Sequence, residues 1–268
     1  MIEIIRAAAA PAAHSVLFDF DGTLSLIRTG WMRVMVPMMV EVLAELGTGE
    51  SEDDLRQVTE DFVWRLTGRE TIYQMIELAR QVELRGGTPA DPLVYKRCYL
   101  ERLGHVIAGR LEALRSRQCP PDRYLVPGAR EFLEALRGRG LHLYLASGTD
   151  EAFVKEEADL LDITRYFDGG IYGARDEERG FSKRSVIEGI LSLPDVGGAD
   201  LIGFGDGYVE IEEIKRVGGV AVGVATDEPE CRAPDQWKRQ RLIGVGADYI
   251  VANYADWPEL IARAVAAS

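Results

Sequence analysis

The stretch Ser15-Val16-Leu17-Phe18-Asp19-Phe20-Asp21-Gly22-Thr23-Leu24 runs an apolar segment into two carboxylates two residues apart, then Gly and Thr. Side chains of a strand alternate, so a strand ending here sends Asp19 and Asp21 off the same face. Both acids then stand at a carboxyl end, where open α/β sheets hold their ligands. Gly22 allows a sharp turn because it has no Cβ to clash. Two carboxylates this close do not both ionise cheaply. Either a metal neutralises them or one carries a proton. A screened carboxylate can attack an electrophile, and a protonated neighbour can give its proton to a leaving oxygen. Asp-Gly-Thr alone is a common turn; the hydrophobic strand directly before it weighs against a plain turn.

The remainder of the chain limits the partners. It has 268 residues, 47% hydrophobic and 28% charged, the profile of a soluble globular protein with one large domain or two smaller ones. A net charge of -13 argues against a nucleic-acid surface, which needs clustered Lys and Arg. It does not exclude a small anionic substrate, because a metal and a few cations reverse the field inside one cleft. Cys98, Cys119 and Cys231 are widely spaced and odd in number, which suits reduced thiols better than a disulfide or a metal site. The alanine-rich start, 1–13, lacks a cationic head followed by a long apolar core and reads as a strand or a ragged leader. No window approaches a membrane span. The cytoplasm is the expected compartment, and no membrane partner is expected.

Beyond Leu24 the periodicity turns helical from about Ile27 to Gln118. Met32, Met35, Met39, Val42 and Leu46 fall at helical spacing up to Gly47, with Pro37 expected to kink or split that helix. Ser51-Glu52-Asp53-Asp54 resembles a capping box. Leu55, Val58, Phe62 and Leu66 form the next buried stripe, and Thr71 is placed to cap a third helix. A longer helical segment runs from about Pro92 to Arg117. So long a connection is no ordinary loop. It predicts a second, helical domain over 27–119, inserted into a core formed by 1–26 and 120–268.

From Pro127 strands and helices alternate. Strands are expected at Leu141–Ala146, Gly170–Gly173, Asp200–Phe204, Gly219–Val224 and Ala247–Val251. Helices are expected after Gly128, up to about Leu161, over Lys183–Leu191 behind a Ser182 cap, over Glu210–Val217, and over Trp257–Ala267. This order predicts an α/β fold with a mostly parallel, Rossmann-like sheet and right-handed crossovers. Such a sheet gathers polar residues from its strand ends: Asp19 and Asp21, Ser147, Lys183, and Asp206 with Glu210. Hard oxygen ligands without a His or Cys cluster suit magnesium. One ammonium, one hydroxyl and backbone amides suit a phosphoryl group, which needs positioning and charge neutralisation.

Taken together these residues resemble the haloacid dehalogenase-like superfamily, on its phosphatase side, among phosphoglycolate phosphatases and beta-phosphoglucomutases. Asp19 to Thr23 match its first motif, DxDGT. Ser147 matches the hydroxyl residue of the second, Lys183 the lysine of the third, and Gly205-Asp206 with Glu210 the fourth, where Glu210 stands in place of the usual Asp. The likeness covers Ser15 to about Val251, and the helical insert sits where such proteins carry a cap. The resemblance implies that Asp19 is the nucleophile and becomes an aspartyl-phosphate, while Asp21 acts as acid and then base. It implies magnesium on Asp19, the main-chain carbonyl of Asp21 and Asp206, with Glu210 holding metal-bound water. Ser147 and Lys183 would grip the phosphoryl group, joined by Gly22, Thr23 and Gly148. Asp21 argues against haloacid dehalogenation, because dehalogenases of this family lack that acid.

Arg69, at a break between two helices, is a candidate for binding the leaving group; a solvated surface arginine is the competing reading. Arg28 and Trp31, just beyond the first motif, are similar candidates. His14, His105 and His142 show no ligand spacing. The expectation is a magnesium-dependent phosphatase acting on a small phosphorylated metabolite. The rivals are a phosphomutase of the beta-phosphoglucomutase type and a catalytically idle binding relative.

Overall fold

The computed structural model describes residues 2–10, 13–175, 182–194, 196–228 and 230–265. In chain order these form β1 (Ile2–Ile4), β2 (Ser15–Phe18), α1 (Met32–Ala44), α2 (Glu52–Arg65), α3 (Thr71–Leu84), α4 (Pro92–Arg115) and α5 (Ala129–Arg137). Then follow β3 (His142–Asp150), α6 (Glu151–Leu160), β4 (Gly170–Ala174), α7 (Lys183–Leu191), β5 (Leu201–Gly205), α8 (Tyr208–Arg216), β6 (Val220–Val224), α9 (Gln236–Gly244), β7 (Tyr249–Val251) and α10 (Trp257–Ala264). The chain divides into two compact units, Met1–Thr29 with Arg110–Ser268, and Gly30–Gly109.

The first unit is built on a seven-stranded sheet of order β1-β7-β6-β5-β2-β3-β4. β2 is an interior strand, buried along its whole length. It pairs in parallel with β3 on one side and β5 on the other, and Phe18 lies opposite both Leu145 and Phe204. β2 and β5 end close to that level while β3 runs on to Asp150, and the Asp19 amide continues the pairing with β5 by donating to the Phe204 carbonyl at 2.9 Å. Only β1 runs antiparallel, against β7, so the opening residues supply an edge strand.

Alternation along β2 builds two cores. On one face Phe18 stacks on Phe204 with centroids 4.8 Å apart, and Phe132 of α5 meets both rings edge-on. On the other face Leu17 belongs to a cluster with Ile187 of α7, Ile211 and Ile214 of α8, Leu242 of α9 and Ile250. Helices therefore cover both faces of a mostly parallel sheet, the α/β class its alternating pattern predicts.

The second unit holds α1, α2, α3 and α4 up to Gly109. Met35, Met39, Leu43, Phe62, Met75 and Leu78 are buried in it. The capping box at Ser51 forms as expected, its hydroxyl accepting from the Asp54 amide. Two local details differ. Pro37 does not split α1, which is one helix with the proline inside it: proline removes a single backbone donor, and six buried side chains hold the helix together. Thr71 does not cap α3, since the helix starts at Thr71 itself and its capping position is Glu70.

The sequence set the unit boundaries at 26/27 and 119/120, whereas the units divide at 29/30 and 109/110. Arg110 explains part of the shift: its guanidinium donates to the carbonyls of Ile27 and Thr29, at 2.6 and 2.9 Å, and ties the end of α4 to the first unit. α10 ends at Ala264, short of the expected Ala267; residues 266–268 lie outside those described, as do Met1, Pro11 and Ala12 of the opening stretch. No helix among the described residues is long and apolar enough to cross a membrane.

Candidate active site

The ends of β2 and β5, the last residues of β3 and the start of α7 bring together residues that are far apart in sequence. Asp19 leaves the end of β2 and is buried. Its Oδ1 accepts from Lys183 Nζ at 2.6 Å, and its Oδ2 from the Thr23 hydroxyl at 3.3 Å. Lys183 is the first residue of α7, behind the Ser182 cap. A cation at that end opposes the helix dipole, and two carboxylates offset the cost: Lys183 pairs with Asp19 and also with the buried Glu210. Glu210 is third in α8, which starts two residues before the expected Glu210, at Tyr208. Its carboxylate thus stands on the Lys183 ammonium. Gly205 leaves room for it, since a Cβ there would lie 2.8 Å from that of Glu210.

Asp21 projects toward β3. Its Oδ2 accepts from the Thr149 hydroxyl at 2.8 Å and from the Ser147 hydroxyl at 3.4 Å. The sequence ended that strand at Ala146, but β3 continues to Asp150, with a register irregularity against β4 between Ala146 and Asp150. Such irregularities re-aim side chains and are frequent beside active sites. Ser147, Gly148 and Thr149 fall within it, and the Ser147 hydroxyl also accepts from the Thr149 amide at 3.1 Å.

Asp206 follows β5 and comes up against Gly22. Gly22 has φ +75°, and a Cβ there would lie 2.3 Å from Asp206 Oδ2. Asp206 Oδ2 accepts from Lys238 Nζ at 2.9 Å, and Lys238 also donates to Glu228 Oε1 at 3.0 Å. Gly22→Ala is therefore expected to cost about 1–2 kcal/mol through its left-handed backbone alone. It is also expected to push the Asp206 carboxylate aside and lower activity about 10- to 100-fold, the usual scale for disturbing a ligand's support. Urea unfolding and initial rates check the two effects separately.

Burial dominates the electrostatics. It raises the Asp19 carboxyl against the pull of Lys183, and raises Asp206 against Lys238. Asp21 is pushed up to about 6, by burial first, with Arg28 opposing. Burial lowers Lys238, but Asp206 and Glu228 outweigh it and hold the ammonium above its ordinary range. Among the described residues no three His, Cys, Asp or Glu side chains converge to hold a metal. A divalent cation here would rest on the Asp19 and Asp206 carboxylates and on main-chain oxygen. That set fits magnesium, which takes one or two carboxylates and completes its shell with water and phosphate oxygens. Buried acids whose ionisation is resisted, and an Asp21 Oδ1 without a hydrogen-bond partner, agree with a cation among them.

The structure thus brings Asp19, Asp21, Gly22, Thr23, Ser147, Lys183, Asp206 and Glu210 into one region, with Gly148 between Ser147 and Thr149. Thr23 also accepts at its carbonyl from the Tyr254 hydroxyl at 3.1 Å. Arg69 belongs to the second unit, its guanidinium 5.8 Å from the centroid of the Tyr73 ring. Sequence reading missed Thr149, Glu157, Glu228 and Lys238. Lys238 lies on α9, whose only buried residue is Leu242, so no apolar stripe announces that helix. Its signal is the Asp235 cap, which accepts from the Lys238 amide at 2.8 Å.

The model of the haloacid dehalogenase-like hydrolase family matches residues 14–218. No curated protein matches the chain in sequence. Among solved structures, a predicted phosphatase from Clostridium acetobutylicum superposes with a TM-score of 0.59 at 18% identity, covering 94% of this chain and 99% of its own. A phosphonoacetaldehyde hydrolase like protein from Oleispira antarctica gives 0.63 at 17%, covering 95% and 93%. A predicted phosphoglycolate phosphatase from Haemophilus somnus gives 0.58 at 15%, covering 92% and 97%. At these identities the likeness is one of fold.

Proposed function

Because this chain belongs to the haloacid dehalogenase-like hydrolases, we propose that it is a magnesium-dependent phosphatase of small phosphorylated metabolites, working through an aspartyl-phosphate. The observation that carries this reading is the convergence of Asp19, Asp21, Ser147 and Lys183 from three separate segments, with Lys183 Nζ 2.6 Å from Asp19 Oδ1. In the first step a carboxylate oxygen of Asp19 attacks phosphorus, and the bond from phosphorus to the leaving oxygen breaks. The Asp21 carboxyl gives its proton to that oxygen. A carboxyl raised to about 6 is protonated in a useful fraction near neutral pH. In the second step Asp21, now a carboxylate, takes a proton from water as the water attacks the aspartyl-phosphate. The bond from phosphorus to Asp19 breaks, releasing inorganic phosphate and restoring the carboxylate.

Lys183 orients Asp19 and neutralises phosphoryl oxygens, while Glu210 holds Lys183 in place. Ser147, with amides near Gly22, Thr23 and Gly148, supplies donors. When bound by Asp19, Asp206 and the Asp21 carbonyl, magnesium would offset the charge of the phosphoryl group. The helical unit would select the leaving group, with Arg69 as its candidate contact.

The test is phosphate release from p-nitrophenyl phosphate and from a panel of sugar phosphates, with magnesium and with a chelator. Release that needs magnesium and stops on chelation is expected. Release indifferent to the chelator would remove the metal from the reading. A sugar phosphate returned as an isomer without free phosphate would establish a mutase, and inertness toward the whole panel an idle relative.

A further inference from the structure

Arg28 lies seven residues beyond Asp21 in a loop, yet it is only 7% exposed. It is held from two sides by α6. Its Nε donates to both Glu157 carboxylate oxygens, at 3.1 and 3.2 Å, and its second terminal nitrogen donates to Oε1 at 2.7 Å. Glu157 is itself 2% exposed. The guanidinium carbon lies 5.3 Å from the centroid of the Phe153 ring. Phe153 and Glu157 are four residues apart and share one face of α6, so a single helical row grips the guanidinium by its edge and by its face. A planar fork held this way loses little freedom when it meets a further partner.

The same guanidinium also stands beside the site: Arg28 Nε is 3.9 Å from Asp21 Oδ1. This is the Asp21 oxygen that has no hydrogen-bond partner; the other is anchored on Thr149. A carboxyl fixed at one oxygen still swings about that anchor. A guanidinium of fixed position beside the other oxygen limits the swing by charge attraction. The hydrogen bonds of the guanidinium go to Glu157, so its pull on Asp21 is that of a charge at 3.9 Å.

We propose that Arg28, locked by Glu157 and Phe153, is a positioning residue that aims the Asp21 carboxyl at the leaving oxygen. This deepens the phosphatase reading and rests on Asp21 being its acid. In this role Arg28 acts through Asp21. Its effect therefore shows most where proton donation matters most, with a basic leaving oxygen.

The test compares phenyl phosphate, whose leaving oxygen is strongly basic, with p-nitrophenyl phosphate, whose leaving oxygen is weakly basic. Arg28→Met alone strands the buried Glu157 carboxylate and risks unfolding, so the main variant is R28M/E157M, which replaces a buried ion pair with apolar side chains of similar size. With its melting temperature and KM near those of the wild type, it is expected to lose about tenfold in the ratio of kcat for phenyl over p-nitrophenyl phosphate, a part of what a general acid contributes. Glu157→Gln, which keeps the hydrogen bonds to Arg28, is expected to retain most of the ratio. Equal loss on both esters, or none, overturns the proposal. So does a crystal structure of R28M/E157M in which the Asp21 carboxyl keeps its place, a readout that needs no turnover. Asp21→Asn serves as the control: if it leaves the ratio unchanged, Asp21 is not the acid, and the phosphatase reading fails at that point before Arg28 is reached.

Discussion

Asp19→Asn is expected to lower turnover by about four to six orders of magnitude, the scale on which loss of a nucleophile is felt, with the fold left intact. Asn matches Asp in size, and its amide is too poor a nucleophile to form the phosphoryl intermediate. The stability side follows from the surroundings of Asp19. Burial resists ionisation there, so a neutral amide removes a desolvation cost while giving up the ion pair with Lys183. Lys183 keeps Glu210 as a counter-charge, which prevents a stranded ammonium. The two changes oppose each other, and the melting temperature is expected to move by only a few degrees. Thermal melts with phosphate-release rates read both quantities on the same preparation. A variant that folds normally and still turns over at a substantial fraction of the wild-type rate would remove Asp19 from the nucleophile's role.

The parts of this site legible in the sequence are those written in local pattern. An apolar run with period two ends at Asp19 because its residues occupy the middle of a parallel sheet, and the strand becomes β2, buried throughout. Lys183 stands at a helix start because Ser182 caps it, a relation spanning three residues. Asp206 follows a second apolar strand in the same way. What stayed hidden is either distant in sequence or carries no periodicity. Arg28 and Glu157 are 129 positions apart, and nothing in either neighbourhood announces a buried ion pair. Lys238 sits on a helix that buries one residue, so amphipathicity cannot reveal it. Ser147-Gly148-Thr149 reads as a turn from composition, whereas neighbouring β4 draws the chain on into an irregular strand. Glu210 was expected near a metal on the strength of its motif position. Its place in the first turn of α8 sets its carboxylate on Lys183, a contact the motif alone does not announce.

That placement makes the loss of Lys183 costly in stability as well as in turnover. Lys183→Met leaves Asp19 and Glu210, with side chains 7% and 3% exposed, buried without their shared cation. Removing one partner from a buried ion pair costs about 3–5 kcal/mol. The penalty has a direction in pH. Burial raises the Asp19 carboxyl most and Lys183 opposes it; without Lys183, burial and the Asp21 charge are opposed only by the Phe20 amide. A carboxyl whose pKa in the folded state lies above its unfolded value binds more protons when folded, so its destabilising effect grows as pH rises through the two values. The variant is therefore expected to approach wild-type stability near pH 4 and to fall furthest behind above pH 7, as urea midpoints across that range would show. A second substitution separates the structural role from the chemical one. In K183M/E210Q one of the two stranded carboxylates is gone, and part of the lost stability is expected to return. Turnover is not expected to return with it, because no cation remains to orient Asp19 and neutralise the phosphoryl oxygens. Recovery of stability and activity together in the double variant would mean that Lys183 serves only to balance Glu210. Recovery of neither would mean that the pair with Glu210 carries little of the energy, leaving Asp19 as the main partner.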